Sequence, residues 1–215
     1  MKKTNKVVLI SLILMTALSF TNLIKIEMDG KLVKPAGIMV IVGIVAFFVT
    51  RSVNDSKNEG LDIKSFLPKL KNPIVIILAL MPTVMAFLST FLEKKYMPEV
   101  LQHIKNRTGI IDKSQIIVTI LSLAVLALGE EIALRAFFQK QSTKLIGFIP
   151  ALIITSVVFA MGHFSFDEPM IVVIDLVEIF IDSIFYGLVF KKTDNAFCSW
   201  VSHFLANAIA VFLLL

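Results

Sequence analysis

Two adjacent carboxylates and an arginine sit inside LSLAVLALGEEIALRAFF, a run from 121 to 138 that otherwise suits lipid. Charged side chains at mid-membrane cost about 2.5 to 3.5 kcal/mol each on insertion scales, so they are rare without a role and face the bundle interior. Glu131 and Arg135 are four residues apart on one helical face. The acid precedes the base, the better orientation for an ion pair. Glu130 is left over. It points about 100° away from Glu131, and its own i+3 and i+4 neighbours are Ala133 and Leu134. A buried carboxylate with no cation beside it on its own helix is suited to acid or base chemistry.

Two of the three histidines also lie in apolar stretches. In SVVFAMGHFSF, His163 follows Phe159 by four; in SWVSHFLANAIAV, His203 precedes Asn207 by four. Each pair shares a helical face. Taken singly, such a His or Asn serves equally well to hydrogen-bond a neighbouring transmembrane helix. Taken together they carry more. Glu130 and His163 are equidistant from a midpoint near 146 and 147, where Gly147 and Pro150 mark a turn,. In an antiparallel hairpin folded there the two side chains lie at similar depth. A carboxylate, two imidazoles and an amide would then converge in one cavity, a set suited to hydrolysis, with a base to activate water and donors to hold an oxyanion. His103 lies in a polar loop and is assigned no function. Cys198 lies in an apolar stretch, lacks an internal disulfide partner and reads as a small core residue,.

The elements that must position these groups follow from composition. With 57% hydrophobic and 17% charged residues and a mean hydropathy of +0.86, the chain has more apolar surface than a soluble domain of its size could hide. Continuous apolar stretches recur at 7–24, 36–50, 73–92, 116–138, 145–166, 169–190 and 196–215. A helix needs about 20 residues to cross the hydrocarbon core. The expected class is all-α, a polytopic transmembrane bundle of about seven spans. Barrel strands would alternate apolar and polar residues, which these stretches do not. The start, MKKTNKVVLISLILMTALSF, also resembles a signal peptide, but six further apolar stretches make a retained first helix the simpler reading.

A net charge of +5 would suggest nucleic acid in a soluble protein. Here the lysines lie between apolar stretches, so no nucleic-acid partner is expected. Their bias places the N-terminus on the cytoplasmic side and the C-terminus outside. That bias is cleanest at the 167–168 connection, which holds Asp167 and Glu168 and no Lys or Arg. The polar inserts 51–72 and 93–115 are long enough for short interfacial helices. The chain reads as one integral-membrane domain over 1–215, with a chemically loaded core at 116–210 and accessory helices at 1–115.

At these residues the sequence resembles a known family. EEIALR matches an EExxxR motif, FAMGH an FxxxH motif and HFLAN an HxxxN motif, in the order and approximate spacing of the CAAX protease and bacteriocin-processing (CPBP, or Abi) family. Gly187 and the Lys-Thr turn at 192–193 also stand where that family usually has a Gly and an Arg/Lys-Thr-Gly. The resemblance implies an intramembrane endopeptidase acting on a membrane-associated peptide or protein. The family includes the type II CAAX prenyl endopeptidase and bacterial members linked to bacteriocin self-immunity and peptide maturation. The protein is accordingly expected in the plasma membrane of a bacterium, with membrane lipid as a partner. By motif position, Glu130 would activate water with help from His163, His203 and Asn207 would stabilise the oxyanion, and Glu131 and Arg135 would support the site. Glu130, His163 and His203 could alternatively ligate zinc. The soluble zinc-protease signature His-Glu-x-x-His is absent, which favours metal-free glutamate catalysis. Two positions depart from the family pattern: Asp182 replaces a usually small residue, and the turn reads Lys-Thr-Asp rather than ending in Gly.

Two other functions compete with the protease. A non-catalytic immunity or regulatory scaffold should have lost a motif residue, whereas all are present. A transporter should show inverted repeats and interrupted helices, which the sequence lacks. The feature the resemblance explains least is IDLVEIFIDSIFYG. There Asp175, Glu178 and Asp182 fall on one face of a single helix,. One expectation is a structural network in which one of them contacts Arg135 or a loop lysine. The other is an acidic lining at the entrance to the site that favours cationic peptides.

Overall fold

The computed structural model describes residues 3–25, 27–28, 31–32, 35–53, 60–109 and 116–215. Residues 54–59 and 110–115, parts of the two polar inserts, lie outside the described residues. The helices are α1 (Lys3–Phe20), α2 (Ala36–Val53), α3 (Ile63–Leu70), α4 (Pro73–Tyr96) and α5 (Pro98–Thr108). They continue with α6 (Ile116–Glu131), a π-helical segment (Ile132–Gln139), α7 (Lys140–Ile146), α8 (Phe148–Gly162), α9 (Pro169–Thr193) and α10 (Ala196–Leu214). A ribbon of two-residue antiparallel strands, β1 (Glu27–Met28) and β2 (Lys31–Leu32), joins α1 to α2.

Local sequence explains where the helices start and stop. Asn72 accepts from the Ile74 N–H and Asn195 from the Phe197 N–H, each filling an otherwise orphaned first-turn donor,. The Glu168 carboxylate accepts from the N–H groups of Met170 and Ile171 at the start of α9. Pro73 and Pro169 occupy first-turn positions, where a missing N–H costs nothing,. At the end of α9 the residue after Lys-Thr must turn left-handed, and Asp194 does so with φ +43°. The departure from Gly is therefore accommodated: Asp is one of the few non-Gly residues that visits this region, and its carboxylate meets Lys140 Nζ at 2.7 Å.

The bundle buries several charged and polar side chains within an apolar core and exposes large apolar ones outside. Arg135, Tyr186, Phe137, Gln139 and Glu131 are among the largest fully buried side chains, while Ile77, Phe91, Ile117 and Val125 are exposed. That inversion suits a hydrocarbon solvent. Four helical stretches are long and apolar enough to cross a membrane: Lys6–Leu23, Pro73–Tyr96, Ile116–Ile146 and Ala196–Leu214. Gly37–Val53 and Phe148–Gly162 are apolar but shorter. α9 is 25 residues long and carries the acidic residues.

The stretch expected as one regular helix over 116–138 is longer and less regular. An unbroken helical run continues to Ile146, and its middle is wound as a π-helix beginning directly after the glutamate pair. Ala133 to Gln139 are all buried, because α2, α8, α9 and α10 surround the segment. Such widened turns occur preferentially at functional sites. Gly187 explains one close approach. A Cβ there would collide with Leu152 Cδ1 and lie 2.7 Å from Gln139 Oε1, and Gln139 Nε2 donates to the Gly187 carbonyl at 3.0 Å. Trp200 Nε1 donates to the Ala124 carbonyl at 2.8 Å and ties α10 to α6.

Candidate active site

Glu131 sits in the last turn of α6, fully buried, with Arg135 one turn on. The expected pair is present: Arg135 Nε lies 3.3 Å from Glu131 Oε2. The guanidinium also donates from Nη2 to Ser183 Oγ at 2.9 Å and lies 5.4 Å and 5.9 Å from the ring centroids of Phe159 and Tyr186. The second oxygen of Glu131 has a partner that the i, i+4 spacing could not show. His203 Nδ1–H, from α10, donates to Glu131 Oε1 at 3.0 Å. Glu131 therefore joins an arginine to an imidazole, and its carboxylate fixes which nitrogen of His203 faces it.

Glu130 is not isolated, correcting the expectation drawn from its own helix. His203 Nε2 lies 3.6 Å from Glu130 Oε2. The partner comes from α10, and intrahelical spacing cannot reveal a neighbour 73 positions away. Unlike Glu131, Glu130 keeps part of its side chain accessible, at 22% against 0%. The His203 ring stacks on Tyr186, with centroids 4.6 Å apart and planes inclined by 16°.

His163 lies just past the end of α8 rather than inside a span, capping the helix through its N–H. Its Nδ1 is 2.9 Å from the Phe159 carbonyl. A carbonyl only accepts, so Nδ1 carries the proton, and in the neutral ring Nε2 is the free acceptor. The Gly147 turn separates α7 from α8 with φ +84°, as the hairpin expectation required. Glu130, His163, His203 and Asn207 all line one cavity of about 310 Å³, together with Asp182, Tyr186 and Arg107. The arrangement places a carboxylate, an imidazole with a free acceptor and an amide around space for a small reacting group and water.

The sequence reading missed the cover of this cavity. His103 belongs to α5, not to an open loop, and is 3% exposed. Its Nδ1 meets Asp167 Oδ2 at 2.8 Å and its Nε2 lies 3.4 Å from Asp175 Oδ2. Asp167, in the α8–α9 connection, also accepts from the Glu168 N–H. That hydrogen bond first and His103 second hold its carboxyl below the usual aspartate range. Arg107 clasps Asp175 through Nε at 2.8 Å and Nη2 at 2.9 Å. The cation that reaches the α9 stripe is thus Arg107, rather than Arg135 or a lysine. The available signal was α5 itself: Val100, Leu101 and Ile104 form an apolar side beside His103 and Arg107.

The zinc alternative can be set against this geometry. Among the described residues, no three His, Cys, Asp or Glu side chains are arranged to hold a metal ion. Glu130, His163 and His203 share the cavity wall but do not form a ligand set as they stand.

The fold and the cavity define a class: a helical integral membrane protein with a partly accessible chamber among its helices, largely apolar but carrying several titratable side chains. Residues 112–209 match the family model of the type II CAAX prenyl endopeptidase Rce1-like proteins. The match covers all three motifs and bears out the family resemblance. Residues 112–209, a little under half of the chain, are therefore similar to a family of intramembrane proteases. Comparison with curated proteins and with solved structures gives no match.

Proposed function

We propose that the chain is an intramembrane endopeptidase in which Glu130 activates the attacking water, without a metal. The observation that carries this reading is the single cavity lined by Glu130, His163, His203 and Asn207. In the proposed reaction a Glu130 carboxylate oxygen takes a proton from water as the water oxygen attacks the scissile carbonyl carbon. His163 Nε2, left as an acceptor by the bond from Nδ1 to Phe159, orients that water. The carbonyl oxygen becomes an oxyanion and accepts from His203 Nε2–H and the Asn207 amide. In this role His203 carries protons on both nitrogens throughout, and the Glu131 carboxylate beside it stabilises that cation while Glu130 holds the water proton. The C–N bond breaks, and Glu130 returns its proton to the leaving amine. Glu131 and Arg135 hold His203 in register.

The same reading takes α1, α2, α4, the run from α6 to α7, α8, α9 and α10 as seven spans in a bacterial plasma membrane, with the N-terminus cytoplasmic. The substrate is a membrane-associated peptide or protein.

Reconstituted full-length chain and its Glu130→Gln variant, incubated with a library of membrane-associated peptides, test the assignment by mass spectrometry of the products. The variant should lose about 100-fold to 10,000-fold in rate, the scale of a removed general base, and should melt close to wild type. Full turnover by Glu130→Gln would overturn the mechanism. Purified active protein should hold well under one zinc per chain and keep its activity after chelation. Stoichiometric zinc whose removal and return switch activity would replace the metal-free reading.

A further inference from the structure

A second cavity, of about 150 Å³, adjoins the first. Asp182, Asn207, Arg107, Ile104 and Ile179 line both, so the two spaces are neighbours across one wall. Four carboxylates line the smaller one: Glu93 from α4 and Asp175, Glu178 and Asp182 from α9. Their electrostatics are not balanced. Asp175 is held by Arg107 and His103, which accounts for the Arg107 charge. Glu93 is 4% exposed, and among the described residues no N–H or hydroxyl donor reaches either of its oxygens, which leaves it a carboxyl-to-carboxylate hydrogen bond with a second acid. The group facing it is another acid, Glu178. Asp182 sees His203 only at a distance. A buried carboxylate without a donor costs several times what a satisfied one does. Glu93, Glu178 and Asp182 thus give the chamber an acidic wall that, among the described residues, no cation meets.

We infer that this chamber is a substrate subsite that takes one basic side chain, a primary ammonium or guanidinium, of the peptide cleaved next door. Its walls suit that shape of ligand. Leu101, Ile104, Ala206, Ala210 and Leu214 offer apolar surface to an aliphatic stem, and Glu93, Glu178 and Asp182 meet the charged head. A bare metal ion fits less well, since among the described residues no three carboxylates are set to ligate one. The shared wall at Asp182 and Asn207 links the basic residue to the bond being cut. The α9 stripe thus divides its work: Asp175 fastens α5, while Glu178 and Asp182 join Glu93 in receiving the cation. The inference rests on the protease reading for the words substrate and cleavage, but the binding itself can be measured without turnover.

Full-length protein in lipid nanodiscs, titrated with dansylcadaverine (a fluorophore on a five-carbon primary amine), tests the chamber directly. A dansyl alkane of the same length without the amine corrects for partition into lipid. Wild type and the Glu130→Gln variant should bind the amine saturably. Glu93→Gln combined with Glu178→Gln should weaken binding about 10-fold or more, as expected when charges facing a buried cation are removed. Where the double variant fails to fold, Glu178→Gln alone is read in the same way, since Glu178 is only partly buried. Equal uptake of the amine and the neutral probe, or binding unaffected by these variants in folded protein, would overturn the subsite. A second arm measures kcat/KM for peptides that differ only in lysine against norleucine. The lysine-to-norleucine ratio should exceed one in wild type and fall in Glu178→Gln; a ratio of one in wild type would equally overturn the proposal. Amine binding without cleavage of any peptide would instead sink the protease reading and leave the cation site standing.

Discussion

The knot around Arg135 and the chamber below α5 are built from the same residue types, yet they are wired in opposite ways. In the knot, Glu131 meets an arginine and an imidazole, Arg135 reaches Ser183 and lies between two aromatic rings, and both charges are fully buried. In the chamber, Glu93 faces Glu178, and among the described residues only Asp175 has a cation in contact. The difference teaches what each region is for. A buried charge in contact with an opposite charge is costly to desolvate, and removing its partner is severely destabilising. Two acids facing each other without a cation between them make an acidic wall that a basic ligand would complement. The knot fixes the positions of His203 and the π-helical segment, and the chamber waits for something positive.

The largest test of that contrast is Arg135→Ala. It strands Glu131 in the bundle centre and should destabilise the protein by about 3 to 5 kcal/mol, read as a lowered melting temperature in nanodiscs. A loss no greater than that of Glu130→Gln would erase the distinction between the two glutamates. Ser183→Ala should cost less, about 1 to 2 kcal/mol, because it removes one acceptor from a guanidinium that keeps its carboxylate. A loss as large as that of Arg135→Ala would move the weight of the knot from the ion pair to α9. Glu178→Gln should fall at the other end of the scale, neutral or stabilising by about 0.5 kcal/mol, since it separates like charges and lets an amide donate to Glu93. Pronounced destabilisation there would mean that Glu178 already has a structural partner, and the chamber would then resemble the knot.

Much of this was legible in the residues themselves. Apolar runs announced the helices, and proline and Asn or Glu caps marked where α4, α9 and α10 begin. The Glu131–Arg135 pair followed from its spacing, and the turn at Gly147 brought α8 back beside α7 and the π-helical segment. Motif order carried the family resemblance over residues that the family model also matches. The α9 stripe was visible as a stripe, though its partner was misjudged: Arg107 lies 68 positions from Asp175.

Within a helix, each residue follows the last by about 1.5 Å and 100°, so sequence spacing alone determined which side chains share a face, which are paired one turn apart, and which stretches belong in lipid. Between helices no such rule operates. The rotation and depth at which α4, α5, α9 and α10 meet depend on side chains interlocking along their whole lengths. Only that packing decided that His203 would be shared by Glu130 and Glu131, that His103 and Arg107 would fasten α5 to α9, and that Glu93 would face Glu178 across a chamber.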